Sequence, residues 1–308
     1  MTELDVQAAT LSLSLLAWLA AALRSATPLL WAMLGETFAQ RAGIVNLGTE
    51  GQMLLGAASA YATTAQTGDP WRGLLAGAVA GGLLSCGHAL LCLRYGANQF
   101  ASGLSLWMIG FGASTYLGAG YVGQSITGLP TLSRLTGFAS PLDQIGVTAV
   151  IALLVVPLCA AVLYATRFGL NLRAVGESVV AARAAGLRVH LYQWSAVLMG
   201  GLLSGIGGAA LSIDYTQAWA EGMTQGLGLI AVGLVIVARW SPWLALPAAV
   251  MFGGADALSL RAQADGAVSA HLLHTLPYLA SLIVFVLTCM RYGAAGAPAG
   301  LRASLHRS

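Results

Sequence analysis

The sequence predicts an all-α protein, a polytopic transmembrane helical bundle of about nine spans, some of them broken or half-crossing. Three observations lead there. Of 308 residues, 57% are hydrophobic and only 8% are charged; soluble domains carry about 25%, so polar side chains are too few to wrap a water-facing surface. Apolar runs recur at roughly the 20-residue length that carries a helix across hydrocarbon. Strand-period alternation is absent, and lipid offers no partner to free backbone groups, so the runs must be helices rather than a barrel.

The runs fall near 10–39, 47–66, 71–93, 98–120, 144–166, 191–213, 224–238, 242–260 and 271–290. The first is too long for one straight crossing and holds Arg24 and Pro28. It reads either as a tilted helix or as an outer helix followed by a short inner one. The partner of Arg24 is Glu36, or else the side chain snorkels to the interface. Gly68-Asp69-Pro70, Tyr95-Gly96-Ala97-Asn98 and Ser241-Pro242 mark turns. Asn98 and Gln99 open the fourth run; Asn98 suits a helix cap, and both amides can donate and accept toward a permeant. Trp107 and Phe111, four apart, form a packed aromatic face or a stacking platform for a flat base. The seventh run is short, and Met223, Thr224 and Gln225 lead into it, as expected of a half-crossing that lines a pathway. Gly73, Gly77, Gly81 and Gly201, Gly205, Ala209 form two ladders of small residues at helical spacing, read as close helix contacts.

All 14 basic residues are arginine. Without lysine the chain holds neither a P-loop nor a Schiff-base centre, so it is not itself a P-loop ATPase. The basic excess is spread thinly, which speaks against nucleic acid. Cys86, Cys92, Cys159 and Cys289 sit inside apolar runs with no CxxC pair, so neither zinc nor disulfides are expected. His271 and His274 read as helix-end residues without a third ligand, and His88 as a core hydrogen-bonder. No cofactor and no metal is implied. The GxGxxA match at 205–210 lies inside an apolar helix and is discarded. The acidic opening MTELDVQ argues against a cleavable signal peptide. Arginines place the 167–190 segment, Arg41, Arg94, Arg239, Arg291, Arg302 and Arg307 inside. Glu3, Asp5, Asp69, Arg72, Arg134, Asp143, Asp214, Glu221, Arg261 and Asp265 fall outside, with the N-terminus outside and the C-terminus inside.

Two stretches concentrate the remaining polarity. The first, GETFAQRAGIVNLGTEGQMLLGA at 35–57, sets Glu36, Arg41, Asn46 and Glu50 between apolar runs. Gly43 and Gly48 permit sharp turns. Glu36 and Arg41 can pair across the turn, Asn46 can cap the next helix, and Glu50 would lie in its first turns, where an acid is favourable. The alternative is that the junction lines a pathway or gate, since polar groups at membrane depth face protein or water. The candidate pathway set is thus Glu36, Asn46, Glu50, Asn98, Gln99, Trp107 and Gln225. The second stretch, RFGLNLRAVGESVVAARAAGLRVH at 167–190, reads as a short amphipathic helix across the membrane face, its small-residue run shaped for a groove on another protein.

LRAVGESVVAARAAGLRV resembles the coupling-helix region of bacterial ABC importer permeases of the ribose/branched-chain-amino-acid class. GETFAQRAGIVNLGTEGQMLLGA resembles the equivalent motif of the nucleoside-type branch. ANQFASGLSL at 97–106 and GLGLIAVGLVIVARWSPWLALPAAVMFGG at 226–254 resemble further blocks, so the similarity runs from about residue 24 to 290. Ser178 departs from the Asn-Pro-like turn common there. The resemblance implies one transmembrane permease domain over 1–308 in the bacterial cytoplasmic membrane, with 167–190 as its cytoplasmic coupling segment. It implies Arg173, Gly176, Glu177, Ala181, Arg183 and Gly186 as contacts for a separate cytoplasmic ABC ATPase. It also implies a second permease subunit, a paralogue, and an extracytoplasmic substrate-binding protein, all around membrane lipid. The permeant expected is a small neutral solute such as a nucleoside or sugar-like compound. An ion-gradient carrier is the competing reading, with Glu36, Glu50 and Asp256 its only candidate acids. An intramembrane enzyme is the least supported, because no HExxH, usable GxSxG or paired carboxylates occur.

Overall fold

The computed structural model describes residues 3–131, 145–264, 270–292 and 296–301, with side chains from residue 14. Arg134, Asp143, Asp265, Arg302 and Arg307 lie outside the described residues, as do the side chains of Glu3, Asp5 and His271. The helices are α1 (Glu3–Arg41), α2 (Thr49–Thr67), α3 (Pro70–Ala89), α4 (Gln99–Gly118), α5 (Val147–Ala165), α6 (Arg167–Glu177), α7 (Val179–Ala184), α8 (Val189–Ala209), α9 (Leu227–Val237), α10 (Pro242–Ala264), α11 (Ala270–Leu273) and α12 (Leu276–Tyr292). Wider turns extend two of them, α3 through Leu90–Arg94 and α8 through Ala210–Tyr215. Among the described residues only isolated β-bridges occur, at Ser125–Ala218 and Thr131–Gly146.

Among the described residues five helices are long and apolar enough to cross a bilayer: Ser14–Arg41, Pro70–Arg94, Val147–Ala165, Val189–Tyr215 and Pro242–Gln263. α2 and α4, of 19 and 20 residues, match that length. α9 has only 11 residues, roughly 16 Å of rise, so it crosses about half of a 30 Å hydrocarbon layer. The long first run is one continuous helix with Pro28 inside it, not an outer and an inner piece.

α1 is the axis of the bundle. Leu29, Leu30, Ala32, Met33, Leu34 and Phe38 are fully buried, against α8, α9 and α10 along its length. Outward-facing leucines such as Leu75 and Leu83 of α3, Leu154 and Leu158 of α5, and Leu282 and Leu287 of α12 are exposed. In water that pattern would be a liability; against lipid tails it costs nothing.

The two glycine ladders meet each other. A Cβ on Gly81 would lie 2.4 Å from the carbonyl oxygen of Gly201, and one on Gly205 would lie 2.3 Å from that of Gly77. Without side chains the backbones of α3 and α8 touch directly, which maximises dispersion where the hydrophobic effect gives no drive. Gly81→Leu is therefore expected to reduce folded protein severely in detergent size-exclusion profiles. Gly233→Leu is the control, because nothing lies within 4 Å of a Cβ at Gly233. Equal profiles for the two variants would contradict this packing.

Candidate functional site

α1 ends where the helix needs a left-handed residue. Gly43 has φ 83°; its N–H donates to Gln40 O at 2.9 Å and that of Ile44 donates to Ala39 O at 3.0 Å. This is the Schellman closure that glycine makes easily. Gly48 has an ordinary φ of −71°. It is needed for space instead, since a Cβ there would meet Asn46 Oδ1 at 2.9 Å and Gly103 O at 3.3 Å.

Residues 43–48 are irregular backbone within the bundle, and side chains supply the partners that lipid cannot. Val45 N–H donates to Gln99 Oε1 at 2.9 Å, and Val45 O lies 3.1 Å from His88 Nε2. A carbonyl only accepts, so Nε2 carries the proton and Nδ1 accepts from the Ser102 hydroxyl at 3.1 Å. Asn46 N–H donates to Glu36 Oε1 at 3.1 Å. Glu36 also accepts from Gln40 Nε2 at 3.0 Å and from Thr49 Oγ1 at 3.3 Å. Gln40 in turn accepts from Trp240 Nε1 at 2.6 Å and donates to Val232 O at 3.2 Å. Glu36, Gln40, Asn46 and Thr49 are all buried.

The Glu36–Arg41 pair does not form. Arg41 points the other way, donating from Nε to Trp240 O at 2.9 Å and from its guanidinium to Arg239 O, Gly296 O and the Tyr164 hydroxyl at 3.3–3.5 Å. Five residues of helix put the two side chains on different faces. Asn46 does not cap α2 directly either. Its Oδ1 accepts from Gly48 N–H at 3.0 Å, one step before the helix, and its Nδ2 is buried without a partner. Arg24 does not pair with Glu36: it donates to Tyr215 O at 2.9 Å and lies 5.2 Å over the Tyr215 ring.

Glu50 does lie in the first turn of α2, but its carboxylate closes a different helix. Oε1 accepts from Thr224 Oγ1 at 2.5 Å and from Gly226 N–H at 2.8 Å; Oε2 accepts from Gly228 N–H at 2.7 Å. These donors stand at the start of α9, the positive end of a half-crossing helix. Gly228 must be glycine, because a Cβ there would sit 2.5 Å from Glu50 Cα. A second acid plays the same part elsewhere. Asp214 was expected in an outer loop; it is buried in the wide turn after α8 and accepts from the backbone N–H and hydroxyl of Thr148 at the start of α5. Among the described residues the only ion pair is Arg72–Asp69 at the surface. Glu36 and Glu50 are held by hydrogen-bond donors, and Asp214 has the Arg24 guanidinium nearby in addition to its Thr148 donors.

A cavity of about 310 Å³ ends on this capped start of α9. It is walled by Ser25 of α1, Thr216, Thr224 and Gln225 of the loop before α9, Asp256 of α10 and Tyr278 of α12. Phe252 and Tyr278 meet edge to face with centroids 5.8 Å apart, and the Ser25 hydroxyl donates to Asp256. A second hollow of about 420 Å³ adjoins it, lined by Arg24, Ser25, Tyr215 and Arg261 among others. Of the residues expected in a pathway, Gln225 lines the cavity and Glu50 holds its floor. Glu36 and Asn46 belong to the junction, Gln99 secures Val45, and Asn98 caps α4 by accepting from Phe100 and Ala101 N–H at 2.8 and 3.1 Å. Trp107 packs where α4 meets Gly51 of α2. Ser25, Tyr215, Phe252 and Tyr278 escaped sequence reasoning: each reads locally as an ordinary residue of an apolar helix or its end. His274, read only as a helix-end residue, also lines the cavity.

The 167–190 segment is two helices, not one. Ser178 breaks it with extended angles of −156° and 109°, and its hydroxyl accepts from Ala181 N–H at 3.2 Å to start α7. Gly186, at φ 79°, ends α7. Leu172, Val175, Gly176 and Ala182 face inward; Val180, Ala181 and Arg183 face out. Arg173 lies 5.2 Å over the Tyr164 ring. A Cβ on Gly176 would lie 2.0 Å from Arg41 O, at the end of α1. The segment 296–301 also packs there, with Ala299 N–H donating to Glu177 Oε2 at 3.0 Å.

Residues 18–290 match the family described as branched-chain amino acid transport system / permease component. The chain is 41% identical over 252 residues to the putative glucose ABC transporter permease protein TsgC13 of Haloferax volcanii, covering 79% of this chain and 77% of that one. It is 31% identical over 280 residues to the nucleoside ABC transporter permease protein NupC of Lactococcus lactis, covering 85% and 88%. It is 29% identical over 257 residues to the guanosine ABC transporter permease protein NupQ of Bacillus subtilis, covering 76% and 79%. No solved structure matches the chain significantly. The chain belongs to the branched-chain amino acid transport system / permease component family, and is a multi-pass permease of the cytoplasmic membrane whose ATP hydrolysis is carried out by a separate subunit.

Proposed function

We propose that this permease imports a small uncharged solute of the nucleoside or hexose kind, pairing with a paralogous second permease. The observation that carries the reading is the polar cavity that ends on the Glu50-capped half-helix α9. A half-crossing helix held at membrane depth by a carboxylate is a pathway element in transport proteins generally. The cavity mixes aromatic walls with hydroxyl, amide and carboxylate groups, which suits a solute rich in hydrogen-bond donors. A gradient-driven carrier needs an acid free to load and unload protons or ions. Of the three acids such a carrier would have, Glu36 and Glu50 are held by fixed donors and Asp256 accepts from the Ser25 hydroxyl; uptake with the proton gradient collapsed decides between the two readings.

Energy enters from an ATPase subunit at the exposed face of α7, where Val180, Ala181 and Arg183 stand out from the protein. Arg173 and Gly176 support that face from beneath, and Glu177 and Gly186, exposed beside it, extend the contact surface. An extracytoplasmic binding protein delivers the solute to the opposite face. In cells carrying the complete transporter, uptake is expected to continue when the proton gradient is collapsed and ATP is maintained. Arg183→Glu is expected to lower that uptake at least about tenfold with membrane levels unchanged, because the charge reversal repels a partner surface selected for arginine. Uptake that vanishes with the gradient overturns the reading.

A further inference from the structure

We infer that the 310 Å³ cavity is itself a binding site for the permeant inside a single permease subunit, and that it takes a flat-ringed, uncharged nucleoside. The inference rests on the importer reading above and adds the site and the ligand class to it. The volume lies at the lower end of the roughly 300–1,000 Å³ that small-molecule sites span, so one mononuclear solute fits and a chain of them does not.

The chemistry of the walls selects further. Tyr278 stands against Phe252 at 82° and 5.8 Å, and Leu211, Met223, Leu227 and Leu260 complete an apolar side. Such a wall takes the face of a heterocycle by stacking, which any base allows because each has a π-face. Opposite it, Asp256 accepts from Ser25 through one oxygen only. Among the described residues no base pairs with it, so its second oxygen has open acceptor sites for ribose hydroxyls or ring N–H groups. The side-chain amide of Gln225 makes no hydrogen bond among the described residues. Its backbone is held at φ 47°, which is unusual for a residue other than glycine. The Tyr278 hydroxyl fixes that turn by donating to Gln225 O at 3.0 Å. One residue therefore both supplies the stacking ring and orients the amide beside it.

Charge in the surroundings argues for a neutral ligand. Arg24 and Arg261 line the adjoining hollow and oppose a cation, while Asp256 opposes an anion.

The test uses cells carrying the complete transporter and tritiated guanosine at a concentration that saturates the binding protein, so that delivery is constant. Glucose and leucine serve as the comparison solutes. Tyr278→Leu and Asp256→Asn are each expected to cut the initial guanosine rate about tenfold at equal membrane level. Tyr278→Phe keeps the ring and is expected to lose less than about threefold. As an independent measurement, Gln225→Cys in a chain whose four native cysteines are serine is expected to react with a membrane-impermeant thiosulfonate at least about threefold more slowly with guanosine present. Wild-type guanosine rates in both Tyr278→Leu and Asp256→Asn, or no protection of Cys at 225 where those variants fail to reach the membrane, overturn the site. A wild type that imports glucose or leucine but not guanosine overturns the ligand class. A wild type that imports none of the three under ATP overturns the importer reading instead.

Discussion

Glu50→Ala is expected to abolish transport and to lower the thermal midpoint of the detergent-extracted protein by at least about 5 °C. The carboxylate is 3% exposed and receives three donors: Thr224 Oγ1 and the N–H groups of Gly226 and Gly228. Alanine leaves all three buried and unpaired, at about 1–3 kcal/mol each. It also removes the negative charge from the positive end of α9, worth up to about 2 kcal/mol in a partly buried site. Some of this is recovered by local relaxation or an entering water. What cannot be recovered is the position of α9, an 11-residue helix whose first turn these donors fix. Glu50→Gln keeps one carbonyl acceptor and should fall between the two. Glu50→Asp is one methylene short of bridging from α2 to α9 and should behave nearly as alanine does. Wild-type uptake and an unchanged midpoint in Glu50→Ala would mean that α9 is held by packing alone.

Gly176→Val is expected to disconnect the motor from the conduit. A Cβ at Gly176 would lie 2.0 Å from the carbonyl oxygen of Arg41, against about 3.5 Å for a comfortable contact. Either α6 lifts off the end of α1 or the end of α1 unwinds. Arg41 ties that same end to Trp240 and Arg239 after α9 and to Gly296, so α6, α1 and α9 meet at one point. Displacing α6 by about an ångström is expected to disrupt a contact through which a push on α7 would reach the half-helix. In proteoliposomes of the whole transporter, ATP hydrolysis is expected to persist while solute-stimulated hydrolysis and uptake fall by more than about tenfold. Gly186→Ala is the comparison. Its φ of 79° strains any side chain, yet nothing lies within 4 Å of a Cβ there, so the cost is about 1 kcal/mol of backbone strain with the geometry kept. Equal coupling in Gly176→Val and wild type would place the mechanical contact elsewhere.

The elements themselves were legible along the chain. The run at 224–238 is short in sequence and α9 is short in space. Asn98 looks like a cap and is one. Gly77 and Gly81 meet Gly201, Gly205 and Ala209 along the seam of α3 with α8, while Gly73 lies against Thr64 and Ala60 of α2. Arg41, Arg239 and Arg291, assigned to one side by charge, do gather at one end: Arg41 donates to Arg239 O, and Arg239 and Arg291 both lie over the Tyr292 ring. Pairings were less accessible. Glu36 and Arg41 are neighbours in sequence and yet turn away from each other. Asp214 sits among loop-like residues and yet is buried as the cap of α5. Ser178 was visible as a departure from the family pattern, and its hydroxyl explains why the polar segment divides into two helices.

From the sequence alone came the class, the membrane, the helices and the polar segment at 167–190. Those follow from composition, from run length against bilayer thickness and from small-residue spacing, all properties that a residue shares with its near neighbours. Only the tertiary structure decided that Glu50 closes α9 from 176 residues away, that Tyr278 holds Gln225 across 53, and that a cavity lies between them. A carboxylate's own neighbours say that it must find donors in a dry interior; which helix supplies them depends on how the bundle closes.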